Sequence, residues 1–405
     1  MPARPLKIRK QYMQYRNDRN GDPVSVLGYG CMRFSRKGGG IDMDKTEQEI
    51  LEAFHAGVNY YDTAYIYPGS EDALGQILQK NGTREKVRIA TKLPQYMVRS
   101  IASADRYFNE ELARLRTGYV DYYLMHHITD IAQWERLKGL GIREWIADKK
   151  ALGLIRNIGF SFHGSTEYFI RVLEDYDWDF CQIQYNYLDE TSQAGRRGLE
   201  AAEKKGVPVI IMEPLRGGKL TIGLPQRAKD LIEAEGGGRS AAEIALRWLW
   251  DQPGVTCVLS GMNSLEMVRE NCRIADSALP GCMTQEERDL IGRIRTVISE
   301  TEKVGCTGCR YCMPCPQGVD IPGIFHYYNQ MYTDSKWSGR KEYAQTNALR
   351  RQPSYASLCI GCGKCEKHCP QSIPIREKLR EADRALRPWY VKGGAFVVRK
   401  FMVRK

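Results

Sequence analysis

Eight of the thirteen cysteines fall in two short groups near the C-terminal end, and no other feature restricts the fold so tightly. The first group is Cys306, Cys309, Cys312 and Cys315, followed by Pro316. The second is Cys359, Cys362, Cys365 and Cys369, followed by Pro370. The other five, Cys31, Cys181, Cys257, Cys272 and Cys282, stand alone. An odd total and tight clustering argue against a disulfide framework and point to metal.

The second group reads C-x2-C-x2-C-x3-C-P and resembles, residue for residue, the run that holds iron–sulfur clusters in bacterial ferredoxins. The first group is one residue shorter before its last cysteine. Three thiolates at two-residue gaps can wrap three corners of a cubane, and the proline turns the chain toward the other cluster. The resemblance implies two [4Fe–4S] clusters that exchange their fourth ligands. One takes Cys306, Cys309, Cys312 and Cys369; the other takes Cys359, Cys362, Cys365 and Cys315. Zinc is the alternative, but its sites usually show two C-x2-C pairs separated by a loop. Electron carriage and structural stapling are both compatible with the spacing.

Upstream, short β-rich runs alternate with amphipathic stretches. The expected strands are Val26–Gly30, Val58–Asp62, Val87–Lys92, Val120–His126, Ile155–Ser161, Phe180–Asn186, Val207–Glu213 and Val255–Gly261. Between them, stretches such as Lys45–Ala56, Asp105–Arg116 and Ala241–Trp250 repeat apolar residues at helical spacing. Eight such units predict an α/β fold, a parallel (β/α)8 TIM barrel. An open doubly wound sheet would call for a G-x-G-x-x-G turn, and Gly28-Tyr29-Gly30 is only a fragment of one. Asn20-Gly21-Asp22, between Lys7–Arg16 and Pro23–Leu27, predicts an N-terminal β-hairpin leading into the first strand. The expected division is a barrel over residues 1–299, a small α-helical and loop domain over 300–385 holding both clusters, and a basic tail over 386–405.

Apolar residues make up 42% of the chain, enough for a full core. The net charge of +11 sits at the two ends: residues 1–20 carry +5 and residues 371–405 carry +7, leaving the rest at −1. Such a distribution fits solvated ends or docking of an acidic redox partner such as ferredoxin or flavodoxin, and not a nucleic-acid groove. Apolar runs are strand-length, so no membrane span is expected. The basic start leads into no apolar core of a secretory signal, and a cytoplasmic location is expected.

Four polar residues lie at or just past expected strand ends: Asp62, Tyr67, Lys92 and His126. In a barrel these ends converge on one pocket. A buried Asp–Lys pair beside a tyrosine is expected to lower the phenol's pKa and make it a proton donor to a carbonyl, with the histidine orienting the oxygen. With these residues go Gly28-Tyr-Gly-Cys-Met-Arg33, Asp62-Thr-Ala-x-x-Tyr67, Ser70-Glu-Asp-x-Leu-Gly75, Thr91-Lys92 and Asp121-Tyr-Tyr-Leu-Met-His126. Further on stand Ile155-Arg-Asn-Ile-Gly-Phe-Ser161, Gln182-Ile-Gln-Tyr185 and Glu270-Asn271. Over about residues 23–275 the chain resembles the aldo-keto reductases, and as a whole it resembles the branch with a C-terminal ferredoxin-like dicluster domain.

The resemblance implies a tetrad of Asp62, Tyr67, Lys92 and His126 with Tyr67 as general acid/base, NADP or NAD as cofactor, and a carbonyl or alcohol as substrate. It puts the nicotinamide carboxamide on Ser161 and Gln182, the adenine on Asn271, and other cofactor contacts on Gly30, Met32, Met212, Leu215 and Gly261. Three departures stand out. Phe162 and His163 follow Ser161, where the family commonly has Asn. Met212-Glu-Pro-Leu215 replaces the usual stacking tyrosine, and Met212 can cover the ring as a soft apolar face. Gly261, Met262 and Met267 replace the cations that grip a 2′-phosphate, leaving Arg269 as a substitute and admitting a flavin phosphate instead. His163 reads equally as a pocket contact or as loop packing, and His127 as structural. The leading reading is a nicotinamide-dependent carbonyl reductase. The alternatives are a ferredoxin-linked electron-transfer reductase with a flavin or other relay, and a non-catalytic iron–sulfur sensor or scaffold.

Overall fold

The computed structural model describes residues 13–391 and 393, other than 307, 309, 350, 351, 370 and 392. Eight parallel strands close into a barrel: β1 (Leu27–Gly30), β2 (Tyr60–Asp62), β3 (Arg88–Leu93), β4 (Val120–Ile128), β5 (Ile155–Phe162), β6 (Phe180–Gln184), β7 (Val209–Met212) and β8 (Val255–Ser260). β8 pairs with β1 at Val258–Leu27 to complete the ring. The strands are buried along nearly their whole length, as parallel strands covered on both faces must be, which is why their sequences read as apolar runs.

Two strands begin two residues later than their sequence suggests, for one reason. Val58 and Val207 donate their N–H groups back to Ala53 and Ala202, closing the preceding helices through left-handed Gly57 and Gly206. Each valine therefore belongs to a helix cap, and β2 and β7 start at residues 60 and 209.

The hairpin pairs Tyr15–Asn17 with Pro23–Ser25, and its remaining expected residues, 7–12, lie outside the described part. It closes the N-terminal end of the barrel. Val24 is fully buried in the inner core with Tyr60, Ala90, Tyr122, Phe180, Ile210 and Cys257. The Tyr122 hydroxyl donates to Asp18 at 2.6 Å. Space inside the ring is tight: a Cβ on Gly28 would meet Leu259 Cδ2 at 2.7 Å. The opposite, C-terminal end stays available for chemistry.

A larger core lies between the strands and the surrounding helices. A separate small core, from Val304 to Leu386, is built on helices Ile321–Thr333, Lys336–Tyr343 and Ile375–Leu386, with six of the clustered cysteines packed against it. Its junction with the barrel turns on Arg216, just past β7. The buried guanidinium donates to both Asp189 oxygens at 3.0 and 3.1 Å and to Asp334, which caps the C-terminal end of the small core's first helix, at 3.1 Å. His326, on the same helix, stands 3.3 Å from Asp189. Among the described residues no helix is long and apolar enough to cross a membrane. Of the expected basic tail, residues 392 and 394–405 lie outside the described part.

Candidate active site

Consecutive barrel strands bring the four tetrad residues together. Asp62 ends β2, Lys92 lies near the end of β3, His126 near the end of β4, and Tyr67 is on the turn after β2. Lys92 Nζ donates to Asp62 Oδ1 at 2.5 Å and to the Thr63 carbonyl at 2.6 Å. The other Asp62 oxygen accepts from Gln182 Nε2 at 2.9 Å. Lys92 is 1% exposed and Asp62 4%, so this charge pair is held in a dry setting with every carboxylate oxygen engaged. Lys92 Nζ stands 5.3 Å from the centre of the Tyr67 ring, and the Tyr67 and His126 rings meet edge to face at 6.1 Å.

The electrostatics run opposite to the sequence expectation for Tyr67. Burial pushes its phenol up, and the Asp62 and Glu213 charges add to the effect. The expected Asp–Lys pair is present, but desolvation of the buried phenol is the largest effect and the Asp62 charge adds to it. Tyr67 therefore remains protonated at neutral pH. Burial also holds His126 well below the ordinary imidazole value, with Lys92, His127 and His163 acting in the same direction. Its Nδ1 is buried without a hydrogen-bond partner. The site thus offers one protonated phenol and one neutral imidazole to the same space.

The expected cofactor contacts gather around the C-terminal barrel mouth. Ser161, in β5, accepts the His127 N–H at 2.8 Å through its hydroxyl, and Gln182 of β6 is turned onto Asp62. Met212 ends β7 against the inner core, and Leu215 follows on the loop. At the β8–β1 seam, Asn271 Nδ2 donates to Ser260 Oγ at 3.0 Å, and a Cβ on Gly30 would lie 3.4 Å from the Ser260 carbonyl. Met32 is 54% exposed at the rim. Arg269 is occupied by Glu52 at 2.7 Å.

Sequence reasoning gave no role to Arg33. Its side chain lies across two loops: a Cβ on Gly261 would meet Arg33 Cδ at 2.9 Å, and one on Gly217 would meet Nη2 at 3.0 Å. Glu213 holds the guanidinium at 3.3 Å. The signal was present, since Arg33 closes the Gly28–Arg33 motif and faces Arg216-Gly217-Gly218, but only the fold joins them. His163 stacks on His127 with ring centres 4.5 Å apart, and its Nδ1 too is buried without a partner. Also missed was the Arg216, Asp189, Asp334 and His326 cluster, whose members are scattered in sequence.

The clustered cysteines surround two cavities. One, of about 350 Å³, is lined by Cys312, Cys315, Cys359, Cys362 and Cys365; a smaller one is lined by Cys306, Cys312 and Cys369. Cys315 thus sits with the second group and Cys369 with the first, the crossing that an exchange of fourth ligands requires. Cys309 lies outside the described residues. Among the described residues no three His, Cys, Asp or Glu side chains close around a single ion. Thiols spread around a cavity fit a multi-iron cluster better than one tetrahedral zinc.

Comparison with known proteins agrees with the barrel and the cysteine-bearing segment as a family assignment. The model of the aldo/keto reductase family matches residues 26–286, and that of the 4Fe-4S dicluster domain matches residues 305–373. A D-galacturonate reductase of Fragaria ananassa is 30% identical over 303 residues, 68% of this chain and 88% of that protein. An aldo-keto reductase of Mycolicibacterium vanbaalenii is 31% identical, over 65% of this chain and 86% of its own. The holo form of aldo-keto reductase AKR11C1 from Bacillus halodurans superposes with a TM-score of 0.58 at 26% identity, covering 70% of this chain and 96% of that one. An aldo/keto reductase of Klebsiella pneumoniae, in complex with NADP and acetate, shares the fold with a TM-score of 0.56 at 23% identity, over 70% of this chain and 96% of its own. The chain belongs to the aldo/keto reductase family and is an oxidoreductase whose barrel is followed by a 4Fe-4S dicluster ferredoxin domain.

Proposed function

We propose that the barrel transfers hydride between NAD(P)H and an aldehyde or ketone, with Tyr67 as the general acid of the reduction. The observation that carries this reading is the buried Lys92–Asp62 pair at 2.5 Å set against Tyr67 and His126. When bound, the dinucleotide supplies the hydride that reaches the carbonyl carbon. Tyr67 gives its proton to the carbonyl oxygen, so that carbonyl, hydride and proton account for the alcohol. Neutral His126 orients that oxygen, and Asp62 fixes Lys92 beside the phenol. Burial keeps the phenol protonated near neutral pH, the form that a proton donor to the carbonyl oxygen needs.

The residues present suit such a cofactor. Ser161 and Gln182 would hold the carboxamide, Gly30, Met32, Met212 and Leu215 the nicotinamide end, and Gly261 and Asn271 the adenosine end. The loops after β7 and β8 are where barrels commonly bind phosphate, and there Arg33 brings the cation that Gly261, Met262 and Met267 do not. NADP in the related Klebsiella structure supports the choice of dinucleotide. Two [4Fe–4S] clusters, held by the two crossed cysteine sets, belong to the same reading. So do the division near residue 300 and a cytoplasmic setting.

A second reading has one observation behind it. Cys362 is exposed, which brings the edge of one cluster to the surface. That suits a ferredoxin-linked reductase in which an acidic carrier feeds the clusters and a flavin or other relay couples them to the barrel. Anaerobic turnover of NADPH with a panel of aldehydes tests the first reading. Tyr67→Phe should remove turnover while the iron–sulfur absorbance stays; turnover that survives would sink the assignment.

A further inference from the structure

The two cysteine-lined cavities face different surroundings. Cys306 lines both the smaller cluster cavity and a cleft of about 440 Å³ between barrel and small core, where Gly164, Ser165 and Gln193 of the barrel meet Arg310 and His326. The larger cluster cavity shares no lining residue with that cleft, and its wall includes Tyr311, Ile360, Lys364, His368 and Arg376. Cys362 is the one exposed cysteine among those described. Beside it, Tyr311 and Ile360 are 68% and 67% exposed.

The charge on the elements that carry this lining is one-sided. Lys364 lines the cavity, and Lys367 and Arg380, on the helices Lys364–Lys367 and Ile375–Leu386 that also carry its lining residues Cys365, Arg376 and Leu379, are exposed. Glu366 is taken up by Arg376 at 2.8 Å and Glu381 by Lys378 at 3.0 Å. Glu377 is the exposed acid nearby. The residues outside the described part carry no Asp or Glu at all, so no undescribed segment of this chain can neutralise the patch. An apolar centre ringed by cations over a redox centre is the complement of an acidic carrier: opposite potentials raise the encounter rate, and the apolar middle brings the two centres close.

We propose that the surface formed by Tyr311, Ile360, Lys364, Lys367 and Arg380 docks an acidic one-electron carrier protein over the cluster bounded by Cys315, Cys359, Cys362 and Cys365. In the docked pair a single electron leaves the reduced carrier and enters that cluster, and no bond or proton changes place. The cluster bounded by Cys306, Cys312 and Cys369 then stands between this entry point and the barrel. The inference rests on the iron–sulfur part of the proposed function and is independent of Tyr67.

The test uses the full chain with clusters reconstituted anaerobically, and a purified acidic two-[4Fe–4S] ferredoxin as the probe. Binding is measured by calorimetry at low and at 0.3 M salt, and cluster bleaching is followed with reduced ferredoxin and, separately, with reduced methyl viologen, which needs no docking surface. Ferredoxin should bind at low salt and weaken sharply at high salt, where charges are screened. Lys367→Glu with Arg380→Glu should weaken it at least about tenfold while viologen still bleaches the clusters at the native rate. The charge-neutral pair Lys367→Gln with Arg380→Gln should fall between, and Lys229→Glu on the barrel should change nothing. Equal affinity in the doubly acidic variant, salt-independent binding, or no binding to ferredoxin but retention on phosphatidylserine vesicles would overturn the proposal. NADPH-dependent aldehyde reduction by the same preparation is a separate readout, so an unsubstituted protein that turns over aldehyde but does not bind ferredoxin refutes the docking surface alone.

Discussion

The barrel mouth and the cluster-bearing segment handle charge in opposite ways. At the mouth, Lys92 and Asp62 are almost wholly buried, each carboxylate oxygen has a donor, and burial fixes the protonation of Tyr67 and His126. In the cluster segment the core is small and the cysteines line open cavities, one of them at the surface among lysines and arginines. A site that moves a hydride and a proton gains from a dry, preorganised setting, where fixed dipoles act strongly. A site that passes one electron to a partner needs reach and complementary charge instead. The two are joined through Arg216, whose guanidinium answers carboxylates from both sides.

Several variants can break that contrast, beginning with the largest effect. Lys92→Met leaves Asp62 buried without its cation and Tyr67 without its neighbour. It should lower kcat for NADPH-dependent aldehyde reduction by about 10²–10⁴-fold, with the iron–sulfur absorbance unchanged. A loss below tenfold would remove Lys92 from the chemistry. Arg216→Met strips the counter-charge from Asp189 and Asp334 in a buried junction and should cost about 3–5 kcal/mol, read as a lower midpoint in urea unfolding. An unshifted midpoint would show that the junction contributes nothing to stability. Cys362→Ser acts on the other side of the contrast. Iron content and visible absorbance should drop toward half, while far-ultraviolet circular dichroism and aldehyde turnover persist; loss of turnover would show that the barrel depends on that cluster.

The smallest effect is on pH dependence. Burial lowers His127 to about 4 and holds His126 and His163 below the ordinary value. An unfolded chain takes up protons on these side chains near pH 6.5 while the folded chain resists, so stability is full above that pH and falls as pH drops from about 6.5 toward 4. Each histidine contributes at most about 1.4 kcal/mol per pH unit within that window. Buried Glu111 and Glu342, whose carboxyls burial pushes up, act in the opposite sense. The check is therefore the difference between the native chain and His127→Phe in thermal unfolding at pH 7.5, 6 and 5. A pH slope unchanged by the substitution would refute the buried, neutral state of His127.

How much of this was legible in the sequence follows from the range of each interaction. Strand runs and cysteine spacing are local, so the eight barrel strands and the 4Fe-4S dicluster domain could be read directly. The gathering of Asp62, Tyr67, Lys92 and His126 was legible because barrel topology brings strand ends together whatever lies between. The direction of Tyr67's shift was not, because it depends on how deeply the fold buries the phenol and how near the Asp62 and Glu213 charges stand, which no motif states. The Arg216 junction was hidden for a related reason. Arg216-Gly217-Gly218 reads as an ordinary loop, and its partners Asp189, His326 and Asp334 come from distant segments. Arg33 lay inside a recognised motif, yet its position over Gly217 and Gly261 exists only once β1, β7 and β8 are neighbours.

The most direct test of the central claim follows one hydrogen. NADPH carrying deuterium at the transferable C4 position is mixed anaerobically with the reconstituted protein and an aldehyde that it turns over, and the alcohol is examined by mass spectrometry and NMR. The account predicts one deuterium on the former carbonyl carbon, no bleaching of the iron–sulfur band during turnover, and no product with Tyr67→Phe. An alcohol carrying solvent hydrogen at that carbon, formed while the clusters bleach and recover, would contradict it and place electron transfer, rather than hydride transfer, at the barrel mouth.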